Sequence, residues 1–454
     1  MNCPNAMATP IPQSVVHQAA VQTARDAYGR LLASLAYRWR DIAAAEDALA
    51  EAFAAALTHW PRTGVPQCPE AWLTTAAKRQ LLQAARHQRV VLDPAVMVLL
   101  AQDEASPDDT SQLTIPDERL RLLLVCAHPE IDADVRTPLM LQVVLGLDAR
   151  QIASALLLKP ATLAQRLVRA KARIRESGLR FELPLPEELS QRSHAVLDAV
   201  YAAYTLGWRH TTLDASGMLA ELASEALFLA DLCARLMPDN AEALGLLALL
   251  RHCEARRGAA WAHDGAFVPL HQQDTTRWNQ KQIELAEGAL RQAFAMRTPG
   301  PYQLEAAIQS AHAERLHGHA VPWGDIAALY AQLLLLSPSV GAQLGHAVAV
   351  AENQGGAAGL QLLEALPGHD LLAHQPYWVT RAHLLMKTGD VAGAERSYAQ
   401  AIGLTENPAV RQHLMAVLAA AGFGSAALAA YPAEQPNRIF SQSPIDALTA
   451  KRTL

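Results

Sequence analysis

"KPATLAQRLVRAKARIRES", residues 159–177, sets Lys159, Arg166, Arg169, Lys171, Arg173 and Arg175 against a single acid, Glu176. Leu163, Leu167, Ala170 and Ile174 recur at intervals of four, three and four, the period of a helix with one buried face. Thr162, Gln165, Arg166, Arg169 and Arg173 fall opposite that face. Pro160 stands in the first helical turn, where its missing N–H costs no hydrogen bond. Just upstream, "TPLMLQVVLGLDARQIASALLL" (137–158) reads as a helix, a turn at Gly146 and a short helix from about Ala149 to Leu157. A short helix, a break and an amphipathic helix with a basic outer face make a helix-turn-helix, whose outer face suits a major groove. Gln and Arg there can reach base edges, while Lys159, Lys171 and Arg175 suit phosphates. A basic run alone is usually just a solvated surface. The preceding short helix and break are what favour DNA.

The chain around this segment is acidic overall, with a formal net charge of -6 over 454 residues, a length that predicts two to four domains. Hydrophobic residues make up 51%, aromatics only 5%, and long alternating Val/Ile/Thr runs are missing, so the expected fold is all-α. Five scattered cysteines (Cys3, Cys68, Cys126, Cys233, Cys253) form no CxxC pair and predict neither a disulfide framework nor a zinc site. "MNCPNAMATPIPQSVVHQ" has neither a basic nor an apolar leader region, and no stretch reaches the length of a membrane span. A cytoplasmic protein without membrane contact is expected.

Charge divides the chain. Residues 1–180 hold 20 Lys and Arg against 18 Asp and Glu, leaving 18 and 26 of the totals of 38 and 44 for the rest. From Asp93 to Glu118 there are seven acids and no Lys or Arg, with the turn residues of a linker. A second boundary falls at "FELPLPEELSQR" (181–192). From Leu189 to Leu418 follow Ala/Leu-rich amphipathic segments separated by short Gly/Pro turns. In "PYWVTRAHLLMKTGDVAGAERSYAQAIGLTENPAV" (376–410), Ala382, Leu385, Gly389, Ala394, Tyr398 and Ala401 fall where a tetratricopeptide (TPR) unit packs small against large. Neighbouring repeats are poorly periodic, so this region is TPR-like rather than a regular array.

Two more helices precede the linker. "DIAAAEDALAEAFAAALTHW" (41–60) carries Asp41, Glu46, Asp47 and Glu51. "PEAWLTTAAKRQLLQAARHQR" (69–89) points Trp72, Leu73, Ala76 and Leu81 inward and Lys78, Arg79, Arg86 and Arg89 outward, after the proline-rich loop "PRTGVPQCP" (61–69). Together, "AEDALAEAF" (45–53) and "HWPRTGVPQCPEAWLTTAAKRQLLQAARH" (59–87) resemble region 2 of the extracytoplasmic-function sigma factors of RNA polymerase. "DERLRLLLVCAHPEI" (117–131) and residues 137–178 look like their region 4. "ALGLLALLRHCEARRGA" (243–259), "DGAFVPLHQQDTTRW" (264–278) and "PGPYQLEAAIQSAHAE" (299–314) resemble the TPR-like extension of one subgroup.

The resemblance implies an organisation: a tail (1–20), sigma region 2 (21–92), an acidic linker (93–116), sigma region 4 (117–180), a TPR-like domain (187–431) and a second tail (432–454). It implies that Asp47 and Glu51 dock on the β′ clamp helices of the bacterial RNA polymerase core, which also offers its β subunit, and that the linker follows the RNA-exit path. Arg62, Trp72, Lys78, Arg79, Arg86 and Arg89 would hold the separated -10 promoter strand. Lys159, Thr162, Gln165, Arg166, Arg169, Lys171 and Arg173 would read the -35 duplex. The chain departs from the family pattern at Gln83, usually Asp, and Ala50, usually Gln. A helix-turn-helix regulator with a TPR-like sensor, acting without core polymerase, is the alternative, and a scaffold with no DNA role is a third reading.

The polar motif "HDGAFVPLHQQDTTRW" (263–278) and "PGPYQ" (299–303) admit two readings. Asp264, Gln273, Asp274, Arg277, Trp278, Tyr302 and Gln303 could form a site for a regulatory protein or ligand. Otherwise Asp274 and Arg277 form an internal ion pair, and Trp278 and Tyr302 pack between helices. His312, His317 and His319 lack an HExxH frame, so no metal is expected. No nucleophile motif, P-loop or GxGxxG supports an enzyme or a cofactor.

Overall fold

The computed structural model describes residues 13–87, 118–156, 158–179, 185–209, 218–366, 369–405 and 407–420. The expected linker, the C-terminal tail, residues 1–12 of the expected N-terminal tail and Arg89 lie outside these residues, whereas residues 13–20 of that tail are already helical. Among them every regular element is a helix, and the one β contact is an isolated bridge between Trp261 and Phe267. The chain is all-α. It divides into two compact units, the first taking residues up to 154 and 158–199, the second residues 155–157 and those from 200 on.

The first unit opens with α1 (Gln13–Trp39), α2 (Ile42–Thr63) and α3 (Pro69–His87), each packed on the other two. Arg40, with φ 53°, reverses the chain between α1 and α2, and the Asp41 carboxylate caps α2 by accepting from the Ala44 N–H at 3.1 Å. Ile42, Ala45, Leu49, Ala52, Ala56 and Trp60 follow a spacing of three and four and are buried. Such a cap contributes about 1 kcal/mol, and each fully buried Leu or Ile about 1.5–3. The helix runs through Pro61 to Thr63, three residues into the stretch expected as loop. It ends at Gly64, whose φ of 88° turns the chain while its N–H still reaches the Trp60 carbonyl at 2.9 Å. On α3 the buried residues are Leu73, Ala77 and Leu81. Ala77 takes the inward place expected of Ala76, because four residues separate it from both leucines.

After the linker come α4 (Glu118–Cys126), α5 (Ala133–Val143), α6 (Ala149–Ala155) and α7 (Pro160–Glu176). Both α4 and α5 pack against α1, and α7 packs against α5 and α2. The two segments expected as separate sigma domains therefore share one compact unit. Gly29 on α1 lies so close to the Val144 carbonyl that an added Cβ would stand 2.0 Å from its oxygen.

α8 (Pro186–Arg209) belongs to the first unit up to residue 199 and to the second from residue 200, where further helices follow one another. α9 (Met218–Leu236) precedes α10 (Ala241–Arg256), which is buried on nearly every side and contacts α9, α11 (Gln280–Ala295) and α12 (Pro301–Ala313). Then come α13 (Trp323–Leu336), α14 (Val340–Gln354), α15 (Gly356–Glu364), α16 (Gln375–Thr388), α17 (Val391–Leu404) and α18 (Pro408–Ala420), each packed on the next. Small local cores tie successive helices together: Ile308, Ile326 and Val350; Leu344, Leu363 and Leu384; Ala382, Tyr398 and Leu414. At the α16–α17 turn Gly389 is left-handed at φ 82°, and Ala382, Leu385, Ala394, Tyr398 and Ala401 are all buried.

Candidate nucleic-acid interface

The approach to α7 is set by side-chain capping. Asp148 Oδ1 accepts from the backbone N–H groups of Arg150 (2.8 Å) and Gln151 (2.7 Å), while Gln151 Oε1 accepts from the Asp148 N–H at 2.9 Å. This reciprocal box fixes the start of α6. Gly146, at φ 68°, makes the preceding turn beneath Tyr28 of α1. The short helix ends at Ala155, two residues earlier than expected, and the chain re-enters helix at Pro160.

On α7 the expected seam is buried: Leu163, Leu167, Ala170 and Ile174 are all below a tenth exposed. Lys159, Thr162, Gln165, Arg166, Arg169 and Arg173 are exposed. At 100° per residue, Gln165 lies opposite the seam, Val168 and Arg169 flank that line on either side, and Arg166 sits at the seam's border. Ala164, Gln165, Val168 and Arg169 line a shallow concavity. Val168 is 66% exposed, an apolar patch beside Gln165 and Arg169 that the charge pattern alone did not reveal.

Lys171 differs from its expected place. It is 9% exposed, and its Nζ lies 2.5 Å from Glu46 Oε2 on α2. A lysine so buried must keep an anionic partner, because leaving it unpaired would cost several kcal/mol. In this conformation it faces protein rather than solvent. Arg175 reaches Asp41 at 3.8 Å, and Arg173 reaches Glu130 at 3.8 Å, both across exposed arginine side chains.

In the first three helices, Arg62 and Arg79 are exposed and Trp72 is half-buried, its ring edge-on to Trp60 at 5.6 Å. Arg30 pins the start of α3 to α1 through Glu70 at 2.9 Å. Partial burial, together with the Arg38 charge, lowers the Lys78 pKa. Arg86 lies in the last turn of α3. Asp47 and Glu51 stand exposed on one side of α2.

The polar motifs of the second unit are used internally. Asp274 Oδ1 accepts from the Thr276 N–H (2.9 Å) and hydroxyl (2.7 Å), which hold its carboxyl below the usual range. Arg277 donates to the backbone carbonyls of Gly258 and Trp261 instead of pairing with Asp274 as one reading expected. Trp278 is 4% exposed, and its indole N–H donates to Gln273 Oε1 at 3.2 Å, while Gln273 Nε2 donates to the Val268 carbonyl. Asp264 closes a turn by accepting from the Ala266 N–H at 3.0 Å. Tyr302 packs edge-on to Tyr201 at 5.5 Å, and Gln303 is fully buried. Two residues outside the motifs bind them: Glu242 accepts from the Tyr302 and Gln303 N–H groups, and Arg315 donates to the carbonyls of Leu270, His271 and Gln273. Neither showed a sequence signal, because both act on backbone from distant helices.

His312 packs edge-on to Trp323 at 5.4 Å, and His319 contacts Glu314 at 2.6 Å. Among the described residues no group of three or more His, Cys, Asp or Glu is placed to hold a metal ion, and no helix is long and apolar enough to cross a membrane.

Residues 25–90 match the family model for sigma-70 region 2, so the first three helices define a sigma-70 region 2 domain. Residues 192–294 match a family of unknown function, DUF6596. The chain is 35% identical to an uncharacterised protein of Rhizobium meliloti (strain 1021) over 373 residues, 81% of this chain and 88% of that one, and it belongs to the same family. It is also 32% identical over 147 residues to the probable RNA polymerase sigma factor RfaY of Xanthomonas campestris pv. campestris, covering 31% of this chain and 35% of that protein. No solved structure matches the chain.

Proposed function

We propose that this chain is an RNA polymerase sigma factor of the extracytoplasmic-function type, which directs core polymerase to promoters. The observation that carries this reading is one compact unit holding both a sigma-70 region 2 domain and a capped short helix, turn and basic helix. Each part has a physical task. The exposed acids Asp47 and Glu51 on α2 suit a basic coiled coil such as the β′ clamp helices. Lys78, Arg79 and Arg62, with the half-buried Trp72, offer cations for phosphates and a ring for an unstacked base of the -10 strand. The outer face of α7, with Gln165, Arg169 and Val168 at its centre, reads the -35 duplex in the major groove as a helix-turn-helix. Lys159, Thr162, Arg166 and Arg173 flank it on the phosphates.

The second unit, read as TPR-like, modulates this activity. Its helices pack in chain order, the arrangement from which repeat proteins build extended binding surfaces. The seven motif residues act there by shaping the segment between α10 and α12. The reading is tested by mixing the purified chain with core polymerase. Co-elution is expected from the unaltered chain, and its loss from a D47R/E51R variant that keeps its helical content. Equal co-elution of both would contradict the assignment of the core-binding face.

A further inference from the structure

Arg256 and Arg257 are neighbours at the end of α10, and each lies over an indole ring. Arg257 stands 5.7 Å from the centre of the Trp208 ring and pairs with Glu254 at 3.2 Å. Arg256 stands 5.9 Å from the centre of the Trp278 ring, and Arg315, just beyond α12, lies 5.4 Å from that same centre. Among the described residues no carboxylate pairs with either of these two. Arg256 donates to the Gln309 side chain and adjoins the Cys253 thiol, while Arg315 donates to the carbonyls of Leu270, His271 and Gln273. Arg256 is 9% exposed, and its buried Nη1 has no hydrogen-bond partner. His312 stands within reach of both charges: burial first, then Arg256 and Arg315, bring its pKa down to about 4. At neutral pH it is an uncharged ring beside two cations.

One indole does not balance two guanidinium groups. A cation over a ring recovers only a small part of what burying a charge costs, and a buried N–H without an acceptor adds to that cost. Arg257 shows the usual solution, a carboxylate beside ring and cation together. For Arg256 and Arg315 the matching negative charge has to come from outside the described residues. The planar guanidinium fork fits the paired oxygens of a phosphate or carboxylate, a match that a spherical halide does not offer. We propose that Arg256 and Arg315 form, over Trp278, a binding site for an oxyanion, the phosphate or carboxylate group of a small molecule. Gln309 holds the Arg256 fork in place for it. The site joins the end of α10, the turn after α12 and the segment leading into α11, so a bound oxyanion ties three separate parts of the chain together. It stands independently of the sigma-factor reading.

The test dialyses the full-length chain to equilibrium against radiolabelled inorganic phosphate, and in parallel against labelled acetate, in sodium chloride at constant ionic strength. One equivalent of at least one of the two anions per chain is expected. R256K and R315K keep the charge but lose the fork, and each should weaken binding roughly tenfold or more. The unaltered chain gives a second readout that needs no variant: the His312 ring followed by NMR across the pH range. A bound oxyanion offsets the arginine charges, so the His312 pKa should rise from about 4 toward its ordinary 6.5. Chloride at the same ionic strength should leave it in place. Binding of phosphate alone supports a phosphate site, and binding of acetate alone a carboxylate site. Binding of neither anion, undiminished binding by both variants, or an equal His312 shift in chloride would overturn the proposal.

Discussion

Glu242 on α10 caps α12 through Gln303: its Oε1 accepts from both the Gln303 backbone N–H and the side-chain Nε2, each at 3.2 Å, while Oε2 takes the Tyr302 N–H at 3.0 Å. The negative charge also meets the positive end of the helix dipole. Gly300 leaves room for it, since a Cβ there would lie 2.2 Å from the Glu242 Cδ. E242A should therefore lower stability by about 1–3 kcal/mol, by stranding buried donors. Thermal unfolding of the full chain checks this; an unchanged midpoint would remove the cap from the account.

His312 should make the second unit acid-sensitive. Burial first, then the charges of Arg256 and Arg315, bring its pKa from 6.5 down to about 4. Between those values the unfolded chain binds a proton that the folded chain refuses. Stability is thus complete above pH 6.5 and falls as pH drops toward 4, by about 3 kcal/mol for the full shift. In denaturant titrations across this window, H312Q should lose less stability than the unaltered chain. Parallel losses would show that other groups control the acid response.

Val168 should read a methyl group. It stands exposed between Gln165 and Arg169, and thymine is the base that presents a methyl in the major groove. Removing one buried methyl costs about 0.8 kcal/mol, roughly fourfold in affinity. V168S should weaken binding by that amount. Replacing thymine by uracil at the contacted -35 position should cost the unaltered chain the same and the variant nothing further. Equal sensitivity of the two proteins to uracil would exclude the contact.

Arg169 and Arg166 should separate by position on α7. R169A is expected to cost about 1–3 kcal/mol at one base pair and to relax specificity there. R166A, at the border of the helix face, should weaken all sequences alike and reduce the salt dependence by about one phosphate. Binding of a -35 mutant panel at two salt concentrations distinguishes these patterns, and a base-specific loss in R166A would reverse the assignment.

Much of this was legible in the residues. The α7 seam and the buried stripe of α2 follow from spacing alone, because a helix must bury whichever residues recur every three or four positions. Lys171 was misplaced for the same reason: its own helix offers no sign that Glu46, on a helix before the linker, would cover it. Val168 is uncharged and falls outside the α7 seam, so neither the charge pattern nor the apolar spacing marks it. The Asp148–Gln151 box was readable from its three-residue spacing, whereas the roles of Glu242 and Arg315 depend on tertiary contacts to backbone, which leave no local pattern. The polar cluster around Trp278 and Gln303 admits two readings from sequence, because buried hydrogen-bond networks and ligand sites draw on the same residue types.

Run-off transcription with purified core polymerase over fragmented genomic DNA from the source organism tests the central claim most directly. The chain should direct initiation from a discrete set of start sites sharing -10 and -35 sequences, with D47R/E51R silent and R169A altered at the -35 position. Failure to initiate at any site, with a folded chain and a core enzyme active with another sigma factor, would contradict the account.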